Sequence, residues 1–264
     1  MKIVRYQVAN QASYGALSDD DSIMELVGSP FNNPEIGSAV TDLDSAKLLA
    51  PVDPQKIICV GLNYISHIDE MGLDLPQFPM LFMKPHTTIT HPEEPIIYPK
   101  ASVEVEYEAE LTVVIGKMAR RVSETDALDY VLGYTCANDV TQRAIQRAEM
   151  ANGAMLISKG FDSFCPLGPV VDTNVDPSNL DLSTRVNGIT KQTGNTSDLL
   201  FSVAKLIAYA SNAMTLLPGD VILTGTPSGV GPIISGDIVE VEIEDIGILR
   251  NPVIPEVTFD ESHP

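Results

Sequence analysis

Residues 103–116 read VEVEYEAELTVVIG, in which glutamate alternates with apolar residues before a mainly apolar run begins. Because residues two apart on a β-strand point to the same face, the segment predicts one long strand with its four glutamates on a single face. On a solvated face, this pattern is typical of an ordinary half-buried strand. The strand continues into Val113-Val114-Ile115, however, so Glu108 and Glu110 are expected near the core, where carboxylates need a compensating cation.

Few basic residues lie near this segment in the sequence, so a divalent metal ion is the expected counter-charge. Ligation by oxygen alone suits Mg²⁺ or Mn²⁺, and Ca²⁺ less well. Asp139, at a predicted strand-to-helix junction, could supply a third oxygen ligand, although an aspartate there is more often an N-cap or turn residue. The segment alone therefore leaves a metal site and an ordinary strand as open interpretations.

The composition is that of a globular and strongly acidic protein. Of 264 residues, 44% are hydrophobic, and 36 acidic against 16 basic residues give a formal charge of −20. Nucleic acid and anionic membranes both attract basic proteins, so we expect neither as a partner. Most acidic residues, such as Asp19-Asp20-Asp21 and Asp260-Glu261, are expected on a solvated surface. Three cysteines without metal-site spacing and no signal or membrane-spanning segment favour a cytoplasmic protein.

The wider pattern predicts a β-rich α+β fold in two parts, a small N-terminal β domain (residues 1–52) and a main domain (residues 53–264). Helices are few and do not alternate regularly with strands, which argues against a doubly wound sheet. We predict helices at 123–133, from about 141 to 150, and from 197 to the Pro218 region. Strands are predicted at 2–8, 14–17, 23–27, 56–61, 80–84, 103–116, 221–224, 238–243 and 248–250.

Two further segments carry candidate chemistry. His67 and Glu70 would share one side of a helical turn, and a carboxylate that orients an imidazole suits a water-activating general base. A surface histidine with an incidental acidic neighbour is the alternative. The glycine-rich residues 219–232 match neither a phosphate-binding loop nor a serine-hydrolase elbow. They could bind a small carboxylate through backbone N–H groups and Thr226, or form a tight crossover between strands.

Several motifs in order resemble the fumarylacetoacetate hydrolase family, in its shorter bacterial form, with members such as acylpyruvases and 2-hydroxyhepta-2,4-diene-1,7-dioate isomerases. The resemblance covers about residues 50–253 and implies a catalytic domain built as a mixed β-sandwich or roll. The motifs are Val60-Gly61-Leu62-Asn63-Tyr64-x-x-His67, Leu81-Phe82-Met83-Lys84-Pro85, Glu108-x-Glu110-Leu111, Gly133-Tyr134 with Asp139-Val140-Thr141, Ser158-Lys159-Gly160-Phe161-Asp162, and Leu223-Thr224-Gly225-Thr226-Pro227.

The resemblance also implies roles for nine residues. It implies that Mg²⁺ or Mn²⁺ is bound by Glu108, Glu110 and Asp139. It implies catalytic roles for His67, Glu70 and Lys159, and substrate contacts for Arg143, Gln192 and Thr226. Two positions depart from the family pattern. The apolar Met155-Leu156-Ile157 stands where many relatives carry a polar or basic residue, and Leu62 stands where some carry arginine. Both departures bear on which substrate fits.

The activity implied by the resemblance is hydrolysis of a carbon–carbon bond in a β-diketo acid of the acylpyruvate or fumarylpyruvate type, giving pyruvate and a carboxylic acid. The alternative is an isomerase, tautomerase or decarboxylase that acts through an enolate held at the metal, on oxaloacetate or a 2-hydroxy-diene-dioate. The His67–Glu70 pair favours hydrolysis without excluding proton transfer. A non-catalytic protein that binds metal or keto acid is a third interpretation. The resemblance further implies a homodimer.

Overall fold

The computed structural model describes residues 1–100, 102 and 104–257, so Val103 and Asp260-Glu261 of the segments above lie outside the described residues. Strands predominate in the described part of the chain. They are β1 (Lys2–Val8), β2 (Gln11–Leu17), β3 (Ser22–Val27), β4 (Glu35–Asp42), β5 (Lys47–Leu49), β6 (Ile57–Gly61), β7 (Met80–Lys84), β8 (Ile89–Thr90), β9 (Ile96–Tyr98), β10 (Val105–Tyr107), β11 (Ala109–Ile115), β12 (Val131–Asn138), β13 (Thr141–Gln142), β14 (Cys165–Asp172), β15 (Asp181–Val186), β16 (Ile189–Asn195), β17 (Val221–Leu223), β18 (Gly231–Ile233), β19 (Ile238–Ile243) and β20 (Gly247–Pro255). The α-helices are α1 (Ile65–Met71), α2 (Arg143–Met150) and α3 (Val203–Ala213).

One large sheet carries most of the strands, in the order β4-β3-β2-β1-β14-β12-β11-β17-β6-β7. Its middle is fully buried, since every residue of β11 is buried. A second sheet consists of the strands β13-β10-β18 in that order, and a third sheet consists of β16-β15-β19-β20-β9. This strand-rich architecture with few helices confirms the predicted β-rich α+β fold.

The N-terminal strands extend the large sheet. β1 pairs antiparallel with β14 at Lys2↔Asp172 and Ile3↔Val171, while its neighbours β2, β3 and β4 continue the sheet outward. The predicted strands at 2–8, 14–17 and 23–27 lie in β1, β2 and β3. β4 was not predicted, because the prolines, asparagines and glycine of residues 30–37 are turn-forming residues that mask its start.

The prediction of one long strand at 103–116 is wrong. The chain leaves the second sheet after β10 and enters the large sheet at β11, so Glu108 stands between two strands. At this position the backbone N–H of Glu108 donates to Asn138 Oδ1 (2.9 Å) instead of to a neighbouring strand, and its carbonyl accepts from the N–H of Asp139 (2.9 Å). A contact with residues thirty positions away therefore interrupts the strand.

The prediction of a helix at 123–133 is also wrong. Only a short 3₁₀ turn forms at Ala127–Tyr130, and Gly133 lies inside β12. Ser123 Oγ accepts a hydrogen bond from the N–H of Asp126, which closes a turn without starting an α-helix. Gly133 is needed in the strand because a Cβ there would come within 2.3 Å of the Asp172 carbonyl oxygen.

The other helices match the prediction more closely. α2 confirms the helix predicted to end near residue 150, and α3 buries Val203, Leu206, Ile207 and Ala210, the face that the apolar spacing indicated. α3 begins later than predicted, after Ser202, whose hydroxyl accepts from the N–H of Lys205. The three cysteines are free and buried, as small core residues. None of the described helices combines the length and apolar character needed to cross a bilayer.

Candidate active site

A cavity opens where α1, the start of α2 and the junction between β10 and β11 meet. Seven of the nine predicted site residues line it: His67, Glu108, Glu110, Asp139, Arg143, Lys159 and Thr226. The other two, Glu70 and Gln192, lie behind this lining and contact residues that form it. Residues separated by up to 159 positions in the chain thus meet around one cavity.

Three carboxylates form the floor of the site. One oxygen from each of Glu108, Glu110 and Asp139 lies within 4.8 Å of the others, and all three side chains are buried. The pairing of β11 with β12 explains this convergence, because Ala109 is registered opposite Asn138 and Glu110 opposite Ala137. Glu108 and Asp139 therefore flank the same end of this strand pair.

Positive charges surround the carboxylates, contrary to the expectation that basic residues are scarce. Lys159 Nζ donates to Glu108 Oε2 and to Asp139 Oδ2, at 2.7 Å each, and Lys84 Nζ donates to Asp139 Oδ1. These lysines come from the loop after α2 and from β7, so proximity in the sequence could not reveal them. Lys84 belongs to one of the family motifs, but the resemblance implies no role for it.

Arg143 ties this cluster to α2. Its Nε donates to Glu106 and its Nη2 to Glu108, at 2.7 Å each, while Nη1 donates to Gln146. Glu106 is buried as well, so the alternation of glutamates does lead three of them inward although the strand breaks. Glu104 remains nearer the surface and pairs with Arg147.

The buried cluster contains one more acidic side chain than basic side chains. Four carboxylates (Glu106, Glu108, Glu110, Asp139) face three cations (Lys84, Arg143, Lys159). Burial alone would raise the pKa of Glu108, but Lys159 and Arg143 hold it at about 2. Burial raises the pKa of Glu110 well above its usual range, and the charges of Asp139 and Glu108 raise it further. Glu110 is thus the carboxylate without a cationic partner among the described residues.

These residues fit a divalent cation. Among the described residues, Glu110 Oε2 accepts only a backbone hydrogen bond, from the N–H of Gly225 at 2.7 Å. A cation at the carboxylates would relieve the repulsion that Glu110 experiences. Oxygen-only donors are the ligands that Mg²⁺, Mn²⁺ and Ca²⁺ take. Glu108, Glu110 and Asp139 could therefore hold a metal ion.

His67 and Glu70 form the predicted pair on α1. Nδ1 of His67 lies 2.9 Å from Glu70 Oε2, and Glu70 Oε1 accepts from the N–H of Gly229 at 2.9 Å. A carboxylate at Nδ1 keeps the proton on that nitrogen, so Nε2 is the basic nitrogen of the ring. Within the described part of the chain, no hydrogen bond occupies Nε2. The imidazole faces the same cavity as the carboxylates and can act as a base there.

The side chains of Asp198, which is distant in the sequence, and of Asn63, which lies just before the helix, hold α1 in place. The residue at its N-cap, Tyr64, makes no side-chain cap, and Asp198 supplies one instead. Asp198 Oδ2 accepts from Ser66 N (3.0 Å) and Ser66 Oγ (2.6 Å). The Asn63 side chain donates to Thr224 O (2.8 Å) and accepts from Phe201 N (2.8 Å). Asp198 was not predicted, because it lies 132 residues from Ser66 and no local pattern marks it.

Asp198→Ala is expected to lower the free energy of unfolding by about 1 kcal/mol, the usual cost of a lost N-cap. The amide of Ser66 should then exchange faster with solvent, because it loses its acceptor. Hydrogen exchange followed by mass spectrometry measures both global and local protection. Asp198→Asn keeps an acceptor oxygen and should lose less. Unchanged protection of residues 65–68 in Asp198→Ala would contradict the role of Asp198.

Gln192 positions Thr226. Gln192 Oε1 accepts from Ala109 N (3.1 Å) and Thr184 Oγ1 (2.8 Å), so its Nε2 donates to Thr226 Oγ1 (2.9 Å) and Pro227 O (2.9 Å). Because the Thr226 oxygen accepts from Gln192, the Thr226 proton remains available for donation into the cavity. The structure places Gln192 against Thr226 rather than in the cavity lining.

Comparison with protein families and known proteins identifies the family of the chain. The family model described as fumarylacetoacetate (FAA) hydrolase C-terminal matches residues 56–254, and that described as Rv2993c-like, N-terminal matches residues 1–51. A mitochondrial oxaloacetate tautomerase of Xenopus laevis is 46% identical over 219 residues, which cover 78% of this chain and 68% of that protein.

Solved structures give the same relationship. The 5-carboxymethyl-2-hydroxymuconate delta-isomerase from Mycobacterium smegmatis superposes with a TM-score of 0.90 at 41% identity, covering 97% of this chain and 100% of that one. Maleylpyruvate hydrolase from Sphingobium sp. SYK-6, solved with manganese(II) and pyruvate, has a TM-score of 0.80 at 29% identity, with the same coverage. The resemblance found in the motifs is confirmed, and the chain belongs to the fumarylacetoacetate hydrolase family of enzymes.

Proposed function

We propose that this enzyme catalyses the keto–enol tautomerisation of a 2-keto acid. A proton is removed from the carbon next to the keto group and a proton is added to the keto oxygen, and the reverse reaction returns a proton to that carbon. The observation that carries the proposal is the His67 imidazole, held by Glu70 and facing the carboxylates that could hold a metal ion. Such a base can take a proton from carbon as well as from water, so the pair, which by itself favours hydrolysis, also serves tautomerisation. The relatives at 46% and 41% identity, named as a tautomerase and an isomerase, support this choice of reaction.

Each group of site residues has its own role in the proposed reaction. Glu108, Glu110 and Asp139 would hold the divalent ion, which when bound would polarise the substrate's keto oxygen and favour negative charge on it. His67 would accept the carbon-bound proton at Nε2, while Glu70 stabilises the imidazolium through Nδ1. The imidazolium or a water molecule would then deliver a proton to the former keto oxygen to give the enol, and the reverse steps would give the keto form. The Thr226 hydroxyl would donate to the substrate carboxylate.

Lys159 has an electrostatic role in this scheme. Burial would lower its pKa, but Asp139 and Glu108 outweigh burial and raise the pKa, so Lys159 is an ammonium ion rather than a base. It holds the two carboxylates in position and adds positive potential to the cavity.

Proton exchange tests the proposal directly. In D₂O with Mg²⁺ or Mn²⁺, the enzyme should replace the C3 hydrogens of 2-keto acids by deuterium, which proton NMR follows as loss of their signal. EDTA should abolish the exchange. Oxaloacetate and 2-oxobutyrate serve as first substrates. Exchange no faster than in buffer with every 2-keto acid and both metals would overturn the proposal.

Hydrolysis of a carbon–carbon bond in an acylpyruvate is the second candidate. It is favoured by the same His67–Glu70 pair, since an oriented imidazole can also deprotonate a water molecule, and by the manganese-containing maleylpyruvate hydrolase relative. Release of pyruvate from acetylpyruvate as fast as deuterium enters C3 would favour hydrolysis. Exchange without pyruvate release would favour tautomerisation, and release of CO₂ from oxaloacetate would indicate decarboxylation.

A further inference from the structure

An apolar groove continues the cavity outward to the surface. Met80, Phe82, Met150 and Met155 line both the cavity and the groove. The groove then extends past Phe78 and Tyr209, whose side chains are 61% and 39% exposed. The cavity and the groove therefore form one continuous depression, charged at its inner end and apolar at its outer end.

Phe82 marks the border between the two ends. The Lys159 ammonium lies 5.4 Å from the centroid of the Phe82 ring, and beyond this ring the walls are formed largely by methionine and aromatic side chains. Methionine is flexible and polarisable, so it adapts to apolar groups of different shapes. Met155 of this lining belongs to the apolar segment Met155-Leu156-Ile157 that departs from the family pattern, and the next two residues of that segment are exposed.

The cationic side chains of the depression are already paired. Arg143 and Lys159 are the basic residues, arginine or lysine, in its described lining. Every side-chain nitrogen of Arg143 donates to Glu106, Glu108 or Gln146, and Lys159 donates to two carboxylates. A second carboxylate on a substrate would leave water for an apolar wall without gaining a cation there, which is unfavourable.

We propose that this groove is a subsite for an apolar tail, so that the substrate is a 2-keto acid whose far end is an alkyl or aryl group rather than a second carboxylate. The inference rests on the proposed function and specifies its substrate class. It also separates this chain from relatives whose names specify dicarboxylic acids, such as the oxaloacetate tautomerase.

Binding of saturated 2-keto acids tests the groove without requiring turnover. Calorimetry with the Mg²⁺-loaded protein compares pyruvate, 2-oxohexanoate and 2-oxooctanoate with the dicarboxylates of matched length, 2-oxoadipate and 2-oxosuberate. Burial of apolar surface should tighten binding by about threefold to fourfold per added methylene that enters the groove. Each dicarboxylate should bind at least about tenfold more weakly than its matched monocarboxylate, because its far carboxylate gains no partner.

These binding measurements distinguish failure of the groove inference from failure of the proposed function. If pyruvate binds but affinity does not rise with chain length, or the dicarboxylates bind as tightly as the matched monocarboxylates, the groove inference is overturned and the proposed function stands. If neither pyruvate nor any longer keto acid binds in the presence of Mg²⁺, the proposed function is overturned, and the groove inference falls with it.

A positive charge placed in the groove should reverse the preference of the protein for monocarboxylates over dicarboxylates. In Met155→Arg, 2-oxosuberate should bind about tenfold more tightly than in the unmodified protein, while 2-oxooctanoate should bind more weakly. Ile189→Arg is the matched control, because Ile189 is 62% exposed and lies outside both linings; its affinities should not change. An unchanged preference in Met155→Arg would overturn the inference.

A second copy of the chain is the competing occupant of this apolar face. Light scattering at the calorimetry concentrations measures the oligomeric state of the unmodified protein and of Met155→Arg. Dissociation of a dimer by Met155→Arg, without a change in keto-acid preference, would show that the face is covered by another copy and would overturn the subsite. The same oligomeric state in both proteins, with a changed ligand preference, supports it.

Discussion

His67→Asn is expected to slow metal-dependent deuterium exchange at C3 of 2-keto acids by about 10²- to 10⁴-fold, the usual contribution of a general base. Asparagine occupies similar space and has no basic nitrogen, so the cavity keeps its shape while proton transfer loses its acceptor. The exchange rate at saturating substrate, followed by NMR, measures the loss. KM should change little, because the metal ligands and Thr226 are untouched.

The neighbouring residue gives a graded comparison. Glu70 accepts two hydrogen bonds, from His67 Nδ1 and from the N–H of Gly229. Glu70→Gln keeps one acceptor oxygen, so one of the two bonds is lost and the exchange rate should fall less than in His67→Asn. His86→Asn is the control, because His86 is exposed and pairs with Asp53 outside the cavity. A His67→Asn enzyme with more than a tenth of the original rate would exclude His67 as the base.

Glu110→Gln is expected to have opposite effects on the protein with and without metal. Without metal, the variant should unfold at a higher temperature, because the carboxylate repelled by Asp139 and Glu108 has become neutral. With metal, it should lose most of the stabilisation, which for a single site is about 2.7 kcal/mol at a metal concentration one hundred times Kd. Thermal unfolding with EDTA and with a titration of Mn²⁺ measures both effects.

Glu106→Gln separates metal binding from the general charge of the cluster. Glu106 is buried and pairs with Arg143, but it does not belong to the three carboxylates that converge within 4.8 Å. This variant should lower stability and still be stabilised by Mn²⁺. An equal Mn²⁺-induced rise in the unfolding temperature for Glu110→Gln and the unmodified protein would contradict the assignment of Glu110 as a ligand.

The alternation of residues 103–111 predicted the inward direction of the glutamates but not the path of the chain. Burial of Glu108 and Glu110 follows from a period-two pattern that meets an apolar run, which is local information, whereas burial of Glu106 was not predicted. The break at Glu108 depends on the Asn138 side chain, thirty residues away. No periodicity within one segment can report such a contact.

The basic residues around the site also could not be predicted from the local sequence. Basic residues are few near the glutamates in the sequence, which favours a metal ion as their counter-charge. In the structure, Lys84 and Lys159 arrive from β7 and from the loop after α2. Their positions follow from sheet order and loop paths, so counting nearby charges underestimated the compensation. The motifs that contain both lysines carried this information only through family resemblance.

The pairing register of β11 and β12 sets which residues enter the cavity. Ala109 stands opposite Asn138 and Glu110 opposite Ala137, and a slip by one residue moves every side chain to the other face of a strand. A misfolded molecule with such a slip would present a methyl group where the carboxylate of Glu110, a proposed metal ligand, belongs. Folding errors at this strand pair would therefore yield inert protein rather than an enzyme with altered selectivity, and bound metal would report correctly folded molecules in a preparation.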